Sequence, residues 1–386
     1  MDARVDRVTS PIYLDHNATT PVLPEVFDAM LPYLREHFGN PSSGHVYGRR
    51  TADAIARARE QVAALLGCDA DEIVFTSGGT ESNNLALRGV IEAAGVPRAR
   101  IVTSAIEHPA VAQPCHWLAA HGHDVVKVGV DANGRAYEEQ GRSAITAGTT
   151  LVSLMHSHNE TGVLQPVRAF ASFAHEVGAV MHTDAAQSVG KVPVHVRELD
   201  VDLLTIAGHK LYAPKGVGAL YVRRGTTLAP FVRGADHEHG LRPGTENVAF
   251  IVGLGVACDV AARTLADESP RQERLRDTLW GHLAGAIPGI TLTGAAHARL
   301  PNTLHVRFPR ASGNAILAGA PEVAASTGSA CHSGNEVASD AILALGISPS
   351  EALGAVRLSL GRGTTEDDVR LAGDALVRSW LACTQP

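Results

Sequence analysis

Between Glu72 and Val222 the chain repeats one pattern: a short apolar run, a polar turn, then a stretch with apolar residues at helical spacing. The runs are "EIVFT" from Glu72, "ARIVTS" from Ala99, "DVVKVGV" from Asp124, "TTLVSLM" from Thr149, "GAVMHTD" from Gly178, "VDLLTIAG" from Val201 and "VGALYV" from Val217. Segments such as "TESNNLALRGVIEAAG" and "PVRAFASFAHEVG" lie between them. Parallel strands cannot be joined by a tight hairpin and need a crossover long enough for a helix. The repetition therefore predicts an α/β fold with a mainly parallel, seven-stranded sheet. Near Ala261 the pattern changes. "RTLADESPRQERLRDTLWGHLAGAI" reads as a long amphipathic helix, and "NTLHVRF" and "GAVRLSLGR" as strands of a smaller α/β unit. We expect a large domain over residues 20–260 and a small one built from residues 1–19 and 261–386.

Composition narrows the function classes. Net charge is -7 and no basic block stands out, so nucleic acid is not an expected partner. The longest apolar run, "FIVGLGVAC" from Phe250, is too short to span a bilayer. The first ten residues carry charges of both signs and no apolar stretch, so no secretory leader is expected. Five scattered cysteines without a CxxC pair predict free thiols and a cytoplasmic setting. Nineteen histidines raise the question of a metal, but "HSH" at His156 and "DHEH" at Asp236 lack HExxH spacing or a CxxC partner, and none is expected.

In an open parallel sheet, ligands bind beyond the carboxyl ends of the strands. Those ends are polar here. After "EIVFT" come Gly78, Gly79 and Thr80, a tight turn opening a helix whose N–H groups suit a phosphate. His108 follows the next run, Asn159 follows "LVSLM", Asp184 and Gln187 follow "GAVMHT", and His209 and Lys210 follow "LLTIAG". Each taken singly reads as a helix cap or a solvated loop. Lys210 is the most informative, because an amine drawn into a dry site loses basicity and can form a Schiff base. Pyridoxal phosphate explains the set: it needs a lysine for its aldehyde, an acid against its pyridine nitrogen and an anchor for its phosphate. Lys210 and Asp184 fit the first two, and Gly79 and Thr80 the third. His108 would stack on the ring, and Asn159 and Gln187 would bond its 3'-oxygen.

"YLDHNATTP", "FTSGGTESNN", "NETG", "HTDAAQ", "GHKLYAPKGVGALYV", "RPGTENV", "STGSAC" and "VRLSLGR" occur in that order from Tyr13 to about Arg362. Together they resemble the cysteine desulfurases of the class V aminotransferase group. The resemblance implies a fold-type I, pyridoxal-phosphate-dependent homodimer acting on L-cysteine. It implies that His209 binds phosphate, that Thr245 reaches the phosphate in the partner subunit, and that Arg357 grips the substrate carboxylate. Cys331, in the glycine- and serine-rich stretch "ASTGSACHSG", would take the substrate sulfur as a persulfide and pass it to an acceptor protein. Lys210 would remove the Cα proton, and His108 would shuttle protons.

Some positions depart from the family pattern. Ala207 stands where a serine is usual, and Thr205 would supply the missing phosphate contact. His158 replaces an asparagine. "RGADHEHG", with Asp236 and His239, replaces a glycine-rich stretch, and the segment before Cys331 is short. Rival readings are a selenocysteine lyase, another class V reaction such as transamination or β-elimination, and a non-catalytic sulfur carrier.

Overall fold

The computed structural model describes residues 10–327 and 337–385. A two-residue strand, β1 (Ile12–Tyr13), precedes the central sheet. That sheet contains β2 (Ile73–Thr76), β3 (Arg100–Ser104), β4 (Asp124–Val128), β5 (Thr149–Ser153), β6 (Val180–Asp184), β7 (Leu203–Ala207) and β8 (Gly218–Val222), in the order β2-β8-β7-β6-β5-β3-β4. All pairings from β4 to β7 are parallel, and β8 runs antiparallel to both its neighbours. The reversal has a local cause. Only the residues from Gly208 to Val217 separate β7 from β8, too few for a crossover helix.

Successive side chains along each strand enter different cores, because strand side chains alternate faces. Val102, Val152 and Leu204 join one apolar cluster, while their neighbours Ile101, Leu151 and Leu203 join the other. Both faces are covered, which accounts for the continuous apolar runs of the sequence.

A three-stranded antiparallel sheet lies later in the chain: β9 (Thr291–Leu292), β10 (Thr303–Arg307) and β12 (Ala355–Ser359), in the order β12-β10-β9. β11 (Val323–Ala324) pairs in parallel with β1. Leu14, Leu279, Val306, Val356, Leu376 and Trp380 share a third core there.

One difference from the sequence reading concerns the change of pattern at Ala261. A single 39-residue helix, Val248–Ala286, runs through it with Pro270 inside. Proline costs such a helix about 3 kcal/mol or more. Burial on both sides offsets that cost: Ile251, Leu254 and Ala261 pack into the larger core, and Leu275, Leu279 and Leu283 into the smaller one. The apolar run at Phe250 is thus part of a helix long and apolar enough to cross a membrane by length and composition alone. Here it packs against the helices Pro24–Arg35, Val46–Leu66 and Glu366–Thr384.

Candidate active site

A cavity of about 320 Å³ opens beyond the carboxyl ends of the parallel strands. Its walls include Gly79, Thr80, His108, Asn159, Asp184, Gln187, His209, Lys210 and Arg357. Nine of the residues singled out in the sequence, spread over almost 280 positions, therefore meet in one space.

One end is a helix start. Gly78 has φ 145, a conformation that glycine tolerates and other residues avoid, and it begins the helix Gly79–Ala94 with no side-chain cap. Gly218 of β8 lies against this turn; a Cβ on it would stand 2.7 Å from the Gly78 Cα. The first N–H groups of the helix are left for an anion, and the helix dipole favours one. His209 sits nearby with its Nδ1 3.2 Å from the Thr19 hydroxyl. Burial, then the Lys210 and Lys215 cations, push its pKa down to about 4, so the ring is neutral near pH 7.

Lys210 follows β7 on a single 3-10 turn, Gly208–Lys210. Its Nζ donates to the carbonyls of Asn17 at 2.6 Å and Ala18 at 2.7 Å. Burial and the Arg357 cation push its pKa down to about 8. A measurable consequence follows for the cofactor-free protein. Competitive labelling with an amine-reactive reagent should titrate Lys210 with a midpoint near pH 8, against about 10.4 for exposed lysines. A midpoint in the ordinary lysine range would contradict the site as described.

Asp184 ends β6, and its carboxylate is held from two sides. Oδ2 accepts from Asn83 Nδ2 at 2.7 Å and Oδ1 from the Ala186 N–H at 3.0 Å. His108 caps the helix Pro109–Ala120, its Nδ1 accepting the Ala110 N–H at 3.1 Å. The neutral ring therefore carries its proton on Nε2. Burial favours that neutral form, while Asp184 opposes the shift and Lys210 adds to it. Beside them Glu107 is half-buried, and desolvation pushes its pKa up to about 8, although the Ser104 hydroxyl and the Met155 N–H donate to it.

Arg357, in β12, closes the far side. Its Nη2 pairs with Asp15 Oδ1 at 2.7 Å and its Nη1 donates to the Asn159 carbonyl at 3.0 Å. Each of these nitrogens keeps a further N–H, Nε has no partner among the described residues, and the side chain lines the cavity, so the guanidinium retains donors for a carboxylate.

One sequence expectation, the phosphate contact of Thr205, falls elsewhere. Thr205 does not line the cavity: it is fully buried, with its hydroxyl 3.2 Å from His182 Nε2. It sits mid-strand in β7, on the same face as Ala207, which lines the cavity, but two residues earlier along the strand and so deeper in the sheet. Thr245 is exposed and is not among the lining residues. Cys331 lies outside the described residues. Conversely, the sequence reading assigns no role to Asn17, Asn83 and Asp15. Each turns out to hold a site residue in place through a contact from a distant segment.

The donors fit a phosphorylated aldehyde on a basic ring: an uncapped helix start for the phosphate, an amine of lowered basicity for the aldehyde, and a fixed carboxylate for the ring nitrogen.

A sequence model of the family described as aminotransferase class-V matches residues 12–371. The chain is 47% identical over 363 residues to a cysteine desulfurase of Gluconacetobacter diazotrophicus, covering 93% of this chain and 90% of that one. It is 44% identical to the cysteine desulfurase NifS of Azotobacter vinelandii, with the same coverage, 93% and 90%. Among solved structures, a NifS-like protein superposes with a TM-score of 0.89 at 34% identity, covering 95% of this chain and 98% of the other. SspA in complex with cysteine superposes with a TM-score of 0.81 at 35% identity, covering 90% and 98%.

Proposed function

The chain belongs to the class V aminotransferase family, and from that premise we propose that it is a pyridoxal-phosphate-dependent cysteine desulfurase, converting L-cysteine to L-alanine and transferring the sulfur to Cys331. The observation that carries this reading is the facing arrangement of Lys210, Asp184 and Arg357 around one cavity. The bound cofactor supplies an electron sink for the bonds at the substrate Cα.

Arg357 receives the substrate carboxylate and so fixes which Cα bond faces Lys210. Lys210, its basicity lowered to about 8, is neutral in a useful fraction near neutral pH and accepts the Cα proton at Nζ. Asp184 would hold a proton on the ring nitrogen, Gly79 and Thr80 would take the phosphate with His209 beside them, and Asn159 and Gln187 would hydrogen-bond the ring oxygen. His108 Nε2–H is placed to pass protons between substrate and solvent. Cys331, as thiolate, bonds to the substrate sulfur. The C–S bond breaks, its electron pair stays with carbon, and that carbon is protonated to give alanine. Cysteine plus thiol thus becomes alanine plus persulfide, with atoms and electrons balanced.

The persulfide needs an acceptor protein and a reducing compartment, consistent with a cytoplasmic location. Homodimerisation is supported by large apolar side chains left at least half exposed, Phe27, Leu34, Phe38, Val46 and Tyr47, of which Phe38 and Tyr47 stack on each other. Thr245 is exposed as well and free to meet a partner subunit.

The test is to incubate the holoenzyme with L-cysteine and identify products by mass spectrometry. Alanine and one extra sulfur on Cys331 are expected. Pyruvate would point to β-elimination instead. A Cys331→Ala variant that still releases sulfur from cysteine would rule out the persulfide route.

A further inference from the structure

Lys191 is a second lysine at this site, and the chemistry above does not use it. It is only 7% exposed. Gly190, with φ 77, turns the chain just before it, and a Cβ on that glycine would stand 2.0 Å from Leu211 Cδ1. The turn brings the Lys191 side chain inward. Its Nζ donates to Gln187 Oε1 at 2.9 Å and to Asn17 Oδ1 at 3.0 Å.

Backbone carbonyls, which can only accept, settle the orientation of two amides: the Gln187 nitrogen faces the Asn17 carbonyl and the Asn17 nitrogen the Asn159 carbonyl, which leaves both amide oxygens to Lys191. The Gln187 nitrogen then faces the other way. One of its N–H groups goes to the Asn17 carbonyl at 2.9 Å, the same oxygen that takes Lys210. The second N–H is left for the cavity that Gln187 lines. Asn17 is fixed likewise: its Nδ2 donates to Thr303 Oγ1 at 2.9 Å and to the Asn159 carbonyl at 3.3 Å.

Proton counting agrees. Among the described residues Nζ meets two acceptors, whereas an ammonium would have three donors to satisfy. A neutral amine has two. Burial, with Lys210 and Arg357 nearby, drives Lys191 well below the ordinary lysine range.

We propose that Lys191 is a positioning residue for the cofactor: by donating to Gln187 and Asn17 it holds the Gln187 amide with an N–H turned toward the ring oxygen. Without Lys191 the Gln187 oxygen loses its donor, and the Asn17 carbonyl alone is left to hold the amide in that orientation. The proposal rests on the pyridoxal-phosphate reading, and the experiment separates the two.

Wild type and Lys191→Met are freed of cofactor and titrated with pyridoxal phosphate. Binding is followed by the absorbance of the Lys210-bound chromophore, and the chromophore is then titrated with pH. In Lys191→Met the dissociation constant should rise about tenfold, the value of one lost hydrogen bond to a charged group. The chromophore's pH midpoint should also rise, because the ring oxygen no longer shares its charge with an N–H and better stabilises the protonated nitrogen. In a Gln187→Met background, Lys191→Met should add no more than about a twofold further loss, as expected when one residue acts through the other. Should Lys191→Met not fold, Lys191→Thr, which is shorter and keeps a hydroxyl, is expected to show the same two shifts. A folded variant with wild-type affinity and midpoint would overturn the role of Lys191, as would losses that simply add in the double variant. A wild type that binds no pyridoxal phosphate would overturn the cofactor reading and this inference with it.

Discussion

Replacing Lys210 with alanine is expected to lower alanine production from cysteine by about a thousandfold or more. Two contributions are lost together: the amine that receives the cofactor aldehyde, and the base that takes the Cα proton. Removing a base alone typically costs 10²–10⁴-fold, and effects on covalent chemistry add to it. The fold should survive. Among the described residues Lys210 Nζ meets only the carbonyls of Asn17 and Ala18, both at the cavity wall. Water in the vacated space can bond to those oxygens, and a buried amine is removed rather than introduced. The circular dichroism spectrum of the cofactor-free variant should match the wild type. Borohydride, which fixes the cofactor to lysine in the wild type, should label nothing in the variant. Retention of more than about a tenth of the rate would remove Lys210 from the role given to it, given the size of the effect on general-base catalysis.

Asp184→Asn is the second large effect, expected at roughly a hundredfold on the rate, the cost of losing a charge-assisted hydrogen bond. The carboxylate is held by donors on both oxygens, Asn83 Nδ2 and the Ala186 N–H. An asparagine offers only one oxygen, so it cannot satisfy both donors and carry a negative charge toward the ring nitrogen as well. A second readout needs no cofactor. Asp184 holds the Lys210 pKa up, against burial and Arg357. Removing its charge should therefore move the labelling midpoint of Lys210 below pH 8 in the apo-protein. A variant with near wild-type rate and an unmoved midpoint would separate Asp184 from the site.

The local signals carried far. Short continuous apolar runs and helices at spacing 3.6 placed seven strands, and a rule of topology placed the carboxyl ends of the parallel ones on one side. Lys210, Asp184, His108 and the Gly79–Thr80 turn were legible because each directly follows a strand or opens a helix. Thr205 was misplaced for the same local reason. It lies within β7 rather than beyond it, and its side chain meets His182 instead of the cavity. The sequence reading begins a new helix after Ala261, because the change in composition there is a local cue, whereas one helix runs over Val248–Ala286. Packing against two cores outweighed that cue.

By itself, then, the sequence determined the α/β architecture, the side of the sheet that bears chemistry, and most residues that face the cavity. Tertiary structure alone decided how those residues are held. Asn17 meets Lys191, Gln187, Lys210, Asn302 and Thr303 across sequence separations of 170 residues or more. Asp15 meets Arg357 across 342. Periodicity reports which face of an element is apolar. It carries no information on which polar atoms two distant elements bring within 3 Å, since that is fixed only when the apolar cores have packed and each buried donor must find an acceptor.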